Sequence, residues 1–504
     1  MAEWSLRHLL ADADVSAHVA STAPDPLVDN LASDSRRVRH GSVFVAIRGC
    51  QADGHDFIGE ACCRGAVAVV AQRSLATPLG VPLLLVDDSA AALAKLAATF
   101  YELRGPSGRR PVLLGVTGTN GKTTTTYLVR AILKAAGHRA ALLGTVEYDL
   151  LTERVPARWT TPPPIELCEF LTRSMQAGAT HAVMEVSSHA LDQRRCDGLE
   201  FETAIFTNLT GDHLDYHKTR EQYAAAKARL FGLLSPTGTA VVNGDDPASD
   251  EILQGRRSTV LRYGIEGDRL DVSASVDRET IDGTRFVLQM AVGPSPIQLS
   301  IDSGLIGRHN VANMTAAAAA AWSLGIDGDA IKAGLESVGV VPGRLQRVEP
   351  PGHAFPVFVD YAHSDDALHH SLSTLRPLTE ERLICVFGCG GNRDRSKRPR
   401  MARAVVRVAD VAVLTSDNPR WEDPIAIIED ARSGLTPSDV GAHCQVHIEP
   451  DRRRGIDLAI SMARPGDTVL VAGKGHEDYQ EICGERFFFD DRSVCAASLE
   501  GAAT

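Results

Sequence analysis

Residues 115–124 have the composition and spacing of a phosphate-binding loop. They follow the apolar run 111–114 and precede a stretch with helical periodicity. Three glycines let backbone N–H groups converge on phosphate oxygens, and the following helix N-terminus favours the same anion. Lys122 is then placed to reach the β- and γ-phosphates, and the Thr123 hydroxyl to bind Mg²⁺. Val116 replaces the usual first glycine, so the loop is a variant. An ordinary strand–turn–helix would explain Gly-Lys-Thr but hardly the whole string.

Two further polar groups follow predicted strands of the same region. Glu185 ends the apolar run 181–186, where a carboxylate can bind the metal that accompanies a nucleotide. His213 lies with several carboxylates in residues 207–217, a second candidate metal shell. Each of these groups alone is more often structural or solvated. Together with the phosphate loop, they make three candidate groups at consecutive strand ends, which favours a shared site. Lys227, on the next helix, would ordinarily be a surface charge, since an ammonium beside Mg²⁺ is repelled unless modified.

The alternation of apolar runs with helical patterns predicts three α/β domains. We place them at residues 1–107, 108–342 and 343–504. A polar, breaker-rich linker at 104–110 and a Pro-Gly turn at 341–343 set these boundaries. The central domain is predicted to hold a mainly parallel sheet, with antiparallel strands inserted at 259–302. The C-terminal domain is predicted to be Rossmann-like, but its glycine turn at 388–391 lacks the dinucleotide spacing, so no nicotinamide or flavin site is predicted.

Composition limits the class of protein. The chain has 504 residues, too many for one core, and a net charge of -12 that argues against a nucleic-acid binder. No basic start precedes an apolar core, and no apolar run approaches membrane-spanning length. Ten cysteines without paired CxxC motifs indicate neither zinc nor a disulfide framework. We expect a cytoplasmic, monomeric enzyme that binds small molecules and neither nucleic acid nor membrane.

Six motifs in one order resemble the Mur ligases, the ATP-dependent amide-forming enzymes of peptidoglycan precursor synthesis. They are residues 117–124, 185–191, 212–217, 307–313, 342–348 and 360–363. The resemblance covers essentially the whole chain. It implies that ATP phosphorylates a substrate carboxylate, that an amine attacks the acyl phosphate, and that phosphate leaves to give an amide. Two anions must meet in this reaction, so Lys122 and Mg²⁺ should dominate catalysis.

The resemblance also implies roles for individual residues. Glu185, His213 and Lys227 join Lys122 as catalytic residues, and Lys227 is expected to be carbamoylated, which turns a cation into an anion able to bind a second Mg²⁺. The expected metal ligands are Thr123, Glu185, His213 and Lys227. The expected ATP-binding residues are Gly118, Thr119, Asn120, Gly121, Lys122, Thr123, Thr124, Asn310, Arg344, Asp360 and His363. ATP would lie between the central and C-terminal domains. Asp365 replaces the proline that normally follows the motif at 360–363.

The N-terminal domain is similar to the uridine-nucleotide site of the family member that adds the third stem-peptide residue. The resemblance implies that the acceptor is UDP-N-acetylmuramoyl-L-alanyl-D-glutamate. Its expected contacts are Ser33, Ser35, Cys50, Gln51, Ala52, Thr160, Thr161, Ser187, Gln193 and Arg195. Cys50 replaces a polar residue of the relatives, so a backbone contact is expected there.

Residues 417–420, Asp-Asn-Pro-Arg, follow a predicted strand and carry the specificity signal. Diaminopimelate differs from lysine by a distal carboxylate, which a guanidinium pairs in fork geometry. Arg420 therefore favours meso-2,6-diaminopimelate as the amine. The expected contacts are Arg393, Asp417, Asn418, Pro419, Arg420, Gly473 and Glu477.

Three alternatives remain from the sequence. The nearest is the lysine-adding ligase of the same family. From another class, the chain could be a P-loop switch or motor that hydrolyses ATP without forming an amide. A catalytically inactive binding protein is the third, although the intact Lys122, Thr123, Glu185 and His213 argue against it.

Overall fold

The computed structural model describes residues 4–17, 24–49, 52–75, 79–104, 110–211, 214–255, 258–291, 296–348, 354–436 and 444–502. It confirms the predicted class, an α/β protein of three domains whose sheets are mainly parallel. Among the described residues, every helix is too short or too polar to cross a bilayer.

The N-terminal domain is built on four parallel strands in the order β3-β4-β5-β6, with a separate antiparallel pair β1-β2. Its elements are β1 (Trp4–Ser5), α1 (Leu6–Asp12), β2 (Leu27–Val28), β3 (Asn30–Ala32), β4 (Ser42–Val45), α2 (Ile58–Cys63), β5 (Ala66–Ala71), β6 (Leu83–Leu85) and α3 (Ser89–Phe100).

The central domain contains an eleven-stranded sheet in the order β10-β9-β8-β11-β7-β12-β13-β14-β15-β16-β17. Its strands are β7 (Val112–Thr117), β8 (Ala140–Leu143), β9 (Glu147–Asp149), β10 (Arg154–Pro156), β11 (His181–Glu185), β12 (Phe201–Phe206), β13 (Leu234–Asn243), β14 (Thr259–Gly264), β15 (Val272–Thr280), β16 (Gly283–Met290) and β17 (Ile297–Ser303). Its helices are α4 (Lys122–Ala135), α5 (Pro164–Gln176), α6 (Ser188–Asp192), α7 (Leu214–His217), α8 (Arg220–Ala228), α9 (Ala248–Leu253), α10 (Arg308–Ser323) and α11 (Gly328–Glu336).

The predicted antiparallel insertion is correct for β15, β16 and β17 but wrong for β14, which pairs in parallel with β13 and with β15. These strands extend the edge of the sheet and do not interrupt it. The phosphate-loop strand β7 lies between β11 and β12, parallel to both. The carboxyl ends of these three strands therefore meet at one edge, where α/β sheets bind ligands.

The C-terminal domain contains a six-stranded sheet in the order β18-β19-β23-β20-β21-β22, parallel except for β18, and a separate hairpin β24-β25. Its strands are β18 (Gln346–Arg347), β19 (Val357–Asp360), β20 (Leu383–Cys389), β21 (Val411–Ser416), β22 (Gln445–Ile448), β23 (Thr468–Ala472), β24 (Tyr479–Ile482) and β25 (Glu485–Phe488). Its helices are α12 (Asp365–Leu375), α13 (Lys397–Val406), α14 (Pro424–Arg432), α15 (Arg452–Met462) and α16 (Asp491–Ala502).

Close packing fixes the central sheet in place. One hydrophobic cluster continues from the N-terminal domain into the central domain, and a Cβ on Gly198 would lie only 2.2 Å from the Ala94 carbonyl oxygen. On the other face, α10 presents six consecutive alanines at 316–321, each 0% exposed. Small side chains let this helix approach the strands and α4 closely, which is how its N-terminal end comes to lie beside the phosphate loop.

Candidate active site

The phosphate loop depends on two glycines with positive φ. Gly118 has φ 149°, and a Cβ there would lie 1.8 Å from Thr207 Oγ1. Gly121 has φ 87°, and a Cβ there would lie 2.4 Å from Asn313 Oδ1. Both positions combine an unfavourable conformation for L side chains with a close neighbour, so only glycine fits without rearrangement.

Lys122 begins α4 and folds back over the loop. Its ammonium donates to the carbonyl oxygens of Gly118 at 3.0 Å and Thr119 at 2.8 Å. The Thr119 hydroxyl lies 3.1 Å from the Tyr223 hydroxyl on α8 and accepts from the Thr210 N–H at 3.0 Å. The lysine is therefore held at the position where an incoming phosphate oxygen could replace the two carbonyls.

Oxygen donors for a divalent cation gather beside the loop. Glu185 is 1% exposed at the end of β11, and its carboxylate accepts from the Thr145 N–H at 2.8 Å and the Thr145 hydroxyl at 3.0 Å. Thr123 is 3% exposed and its hydroxyl accepts from Arg344 at 3.0 Å. These are hard oxygen ligands of the type Mg²⁺ prefers, and each keeps a lone pair, so the donor chemistry fits. The predicted ligand His213 lies outside the described residues.

Lys227 is buried, contrary to the ordinary behaviour of a helix lysine. It is 1% exposed, and its ammonium lies 4.2 Å from the centroid of the Tyr223 ring. The same ring lies 5.2 Å from His217, whose Nε2 is 2.9 Å from the Ser188 hydroxyl. Tyr223 thus connects Lys227 to the phosphate loop through Thr119.

The C-terminal domain reaches the loop through two groups. Arg344, just after the turn at 342–343, donates to Thr123 and lies over the Tyr361 ring at 4.8 Å. Asp366 accepts from Asn120 at 3.0 Å and from the Thr210 hydroxyl at 2.9 Å. Its hydrogen bond with His370 contributes most to lowering the pKa of the Asp366 carboxyl below its usual value. Asp366 was not singled out by the sequence, although the motif ending three residues earlier could have indicated it.

The remaining predicted nucleotide residues have internal roles in this structure. Asn310 is 4% exposed and donates to the Ile306 carbonyl at 2.8 Å. The Asp360 carboxylate accepts from the Leu345 N–H at 2.7 Å, the Ala362 N–H at 2.9 Å and the Ser371 hydroxyl at 3.0 Å. His363 is exposed, with Nδ1 2.8 Å from the Tyr361 carbonyl oxygen.

The substitution of proline by Asp365 leaves the helix start intact. Ser364 caps α12 by accepting from the Ala367 N–H at 3.3 Å, and Asp365 occupies the first turn. A carboxylate is favourable there because it faces the positive end of the helix dipole.

His476 also faces the central domain, and the sequence analysis did not select it. The centroid of its ring lies 5.0 Å from that of the Tyr361 ring. A Cβ on Gly343 would lie 2.2 Å from the backbone nitrogen of His476. Burial, followed by the charge of Arg344, lowers the pKa of His476 to about 3. The imidazole is therefore neutral at physiological pH.

The predicted acceptor residues of the central domain do come together. Arg195 donates to the Thr161 carbonyl at 2.6 Å and to Gln193 Oε1 at 2.7 Å, and it lies over the Trp159 ring at 5.3 Å. The Thr161 hydroxyl accepts from the Ser187 N–H at 3.0 Å. Thr160 Oγ1 lies 3.1 Å from Thr145 Oγ1, which joins this group to Glu185.

In the N-terminal domain, Ser35 is buried and donates to Glu60 Oε2 at 2.9 Å, while Ser33 and Ala52 are exposed. The Ala52 carbonyl accepts from the Gly49 N–H at 2.9 Å. Cys50 and Gln51 lie outside the described residues.

The residues predicted to bind the amino acid follow the carboxyl ends of β20, β21 and β23. Asn418 donates to Glu477 Oε2 at 2.9 Å and accepts from the Lys474 ammonium at 3.0 Å. Pro419 is buried beside them, and the Gly473 N–H donates to the Asp360 carbonyl at 3.0 Å. Burial raises the pKa of Glu477, and the neighbouring Asp417 raises it further.

Arg420 is held in a fixed orientation. Its φ is 55°, its Nη1 donates to the Gly391 carbonyl at 2.8 Å, and its Nε lies 3.6 Å from Glu481 Oε2. The backbone continues this contact, since the Arg420 N–H donates to the Glu481 carbonyl at 2.9 Å. Arg393 is exposed on the adjacent turn.

Arg398 packs against the turn that carries Arg393 and the turn that carries Arg420, and the sequence analysis did not select it. It is 1% exposed and donates to the Glu422 carboxylate at 2.8 and 3.0 Å and to Asp430 at 2.8 Å. Hydrogen bonds from Arg398 lower the pKa of Glu422 to about 2. Only the fold brings α13 to this loop, so periodicity could not have predicted the pairing.

Three family profiles match the chain. The Mur ligase family catalytic domain matches residues 27–101, the Mur ligase middle domain residues 116–321, and the Mur ligase glutamate ligase domain residues 343–475.

Curated relatives match almost end to end. The UDP-N-acetylmuramoyl-L-alanyl-D-glutamate–2,6-diaminopimelate ligase of Geobacter metallireducens is 43% identical over 492 residues, covering 94% of this chain and 94% of the relative. The ligase of the same name from Solibacter usitatus is 43% identical over 500 residues, covering 99% and 98%. A solved structure of a ligase with that name is 32% identical, covers 100% of both chains and has a TM-score of 0.71.

Proposed function

The chain belongs to the Mur ligase family, and we propose that it joins meso-2,6-diaminopimelate to the D-glutamate of UDP-N-acetylmuramoyl-L-alanyl-D-glutamate, with ATP as the phosphoryl donor, in the cytoplasm. The observation that carries the specificity is Arg420, whose guanidinium is oriented by the Gly391 carbonyl and which lies on the same turn as the buried Asp417. The names of the relatives support the same substrates.

The first step forms an acyl phosphate. A D-glutamate carboxylate oxygen attacks the γ-phosphorus of ATP, and ADP leaves. Lys122 would exchange its carbonyl partners for phosphate oxygens and neutralise charge as the two anions approach. Loop N–H groups at the start of α4 would hold the remaining phosphate oxygens.

Mg²⁺ is the proposed metal, held by Thr123 and Glu185, with His213 and a carbamoylated Lys227 at a second position. When bound, the metal supplies charge neutralisation at the phosphates. Burial of Lys227 favours the neutral amine, which is the form that reacts with CO₂, and the second Mg²⁺ would balance the negative charge of the carbamate.

The second step forms the amide. The neutral amine of the amino acid attacks the acyl carbon, and the tetrahedral intermediate expels phosphate. Gln193 and Arg195 would hold the acceptor at the central domain, with Ser35 and its neighbours on the uridine nucleotide. Asp417, Asn418, Glu477 and Arg420 would present the amine from the opposite domain. Contacts of Arg344 and Asp366 with the phosphate loop would keep the two halves together during the reaction.

The test is a reaction with purified protein, ATP, Mg²⁺, the UDP-muramoyl dipeptide and one amino acid, with product mass measured. The proposal expects a mass gain of one condensed diaminopimelate, and ADP release that requires both acceptor and amino acid. Preferential condensation of L-lysine would assign the lysine-adding activity. ADP release without either co-substrate, and no condensed product, would indicate a P-loop hydrolase and overturn the proposal.

A further inference from the structure

Lys474 is completely buried at the centre of the amino-acid site and has no role in the mechanism above. It is 0% exposed, and its ammonium donates to Asn418 Oδ1 at 3.0 Å. Two carboxylates face the same ammonium, Glu477 Oε2 at 3.5 Å and Asp417 Oδ1 at 3.7 Å. Three of the residues proposed to contact diaminopimelate therefore converge on one buried cation.

The charge of Lys474 favours the ionised form of the Glu477 carboxyl. Burial raises the pKa of Glu477 and so does the charge of Asp417, whereas Lys474, the Asn418 hydrogen bond and His363 lower it. Tyr361 and Tyr479 also lie near Glu477, and the Lys474 ammonium lies 5.4 Å from the Tyr479 ring. Without that cation the Glu477 carboxyl, which lies near a second carboxylate, would be protonated more readily.

One carboxylate oxygen is also ready for a ligand. Asp417 is 8% exposed, and within the described part of the chain its Oδ1 has no hydrogen-bond partner. Buried carboxylate oxygens normally accept a hydrogen bond, and the 3.7 Å from Lys474 Nζ is too long for one, so this oxygen indicates a donor that arrives with the substrate. With Lys474 charged, Asp417, Glu477 and Lys474 sum to one negative charge, which one substrate ammonium would balance.

We propose that Lys474 is a positioning residue that holds Asp417, Asn418 and Glu477 in the arrangement that binds the non-reacting ammonium of the amino-acid substrate. This inference rests on the proposed function and deepens it. Lys474 acts through the two carboxylates and does not itself touch the substrate, because its ammonium is already enclosed by Asn418, Asp417 and Glu477.

The test compares Lys474→Gln and Lys474→Met with wild type in the full enzyme, using ADP release and product mass. Lys474→Gln retains a donor for Asn418 but no charge, so it separates the hydrogen bond from the electrostatics. We expect the KM for diaminopimelate to rise roughly thirtyfold or more in both variants, as for a buried charge pair that loses one partner. The KM values for ATP and for the acceptor should change little. The control is Lys332→Met, because Lys332 pairs with Glu336 on the surface of the central domain.

The pH profile distinguishes this role from a merely structural one. Glu477 must be ionised to bind an ammonium, so kcat/KM for the amino acid falls as pH drops through its pKa. Loss of Lys474 removes an influence that lowers that pKa, and the acid limb should move to higher pH. Asp417→Asn removes an influence that raises it and should move the limb to lower pH, even if the Lys474 variants do not fold.

The outcomes separate this inference from the function it rests on. No condensation by wild type would refute the proposed function. Condensation by wild type, with a Lys474→Gln variant that keeps the wild-type KM and acid limb, would refute only the role of Lys474. An Asp417→Asn acid limb that stays in place or moves to higher pH would refute it as well.

Discussion

Replacing Arg420 by alanine should remove most of the preference for diaminopimelate over lysine. Nη1 of Arg420 already donates to the Gly391 carbonyl, and Nε lies near Glu481, so the guanidinium is oriented before substrate arrives. Little side-chain entropy is then lost when it pairs with the distal carboxylate. Alanine is a cleaner choice than glycine, because φ is 55° here and glycine would also relax the backbone.

The magnitude follows from the contacts that disappear. Charge-assisted hydrogen bonds contribute about 1.5–3 kcal/mol each, and water partly solvates the unpaired carboxylate, so we expect a loss of about 2–4 kcal/mol. That corresponds to a decrease in kcat/KM for diaminopimelate of roughly 30- to 700-fold. Lysine has no distal carboxylate, so its kcat/KM should change by less than about threefold. Arg420→Lys should lie between, because an ammonium keeps the charge without the fork.

The assay is competition between the two amino acids at fixed ATP and acceptor, with both product masses quantified. Arg432→Ala is the matched control, since Arg432 is an exposed arginine of the same domain that pairs only with nearby Glu429 among the described residues. Equal losses for both amino acids in Arg420→Ala would refute the reasoning. They would mean that the Arg420 side chain serves to anchor the β24-β25 hairpin, through its contact with the Glu481 carboxylate.

Three further variants test the nucleotide half of the site. Lys122→Ala should lower kcat by at least about 100-fold with an unchanged circular dichroism spectrum, because a loop lysine carries little of the core; near-normal ADP release would contradict the assignment. Lys227→Ala should lower kcat comparably, with partial recovery on adding a short carboxylate, and a fully active variant would rule out the carbamate. Asp366→Asn should weaken closure and raise the radius of gyration in small-angle scattering. Since the pKa of Asp366 is lowered, the contribution of this carboxylate to domain closure is fully present above the ordinary carboxyl pKa. It is lost as pH falls through the lowered pKa of the folded protein. A wild-type protein that stays equally compact at acid pH would therefore argue against this contact.

Much of the functional prediction came from short contiguous sequence motifs. The phosphate loop is one uninterrupted segment, and the structure gives it the predicted strand, turn and helix at 112–135. The helical periodicity of residues 220–234 predicts one helix, but α8 ends at Ala228 and a 3₁₀ turn at Arg229–Leu233 leads into β13. Apolar periodicity continues through that turn, so it could not mark the end.

Hydrogen bonds between residues far apart in the chain could not be predicted from the sequence. Asn120 and Asp366 are 246 residues apart, and Arg344 and Thr123 are 221 apart, yet both pairs join the phosphate loop to the C-terminal domain. Lys474 had the pattern of an ordinary loop lysine between glycines. Its burial depends on the fold, because β21 and β23 flank β20 and their following loops meet at the carboxyl edge of the sheet.

The sequence by itself determined which chemistry is possible, since glycines, Lys122, Thr123 and the arginine of residues 417–420 act through short, contiguous geometry. Only the tertiary structure decided which charges are enclosed together, because desolvation and pairing depend on elements that meet from distant parts of the chain. For this reason Lys227 and Lys474, which no local pattern marks as core residues, prove to be buried in the folded protein.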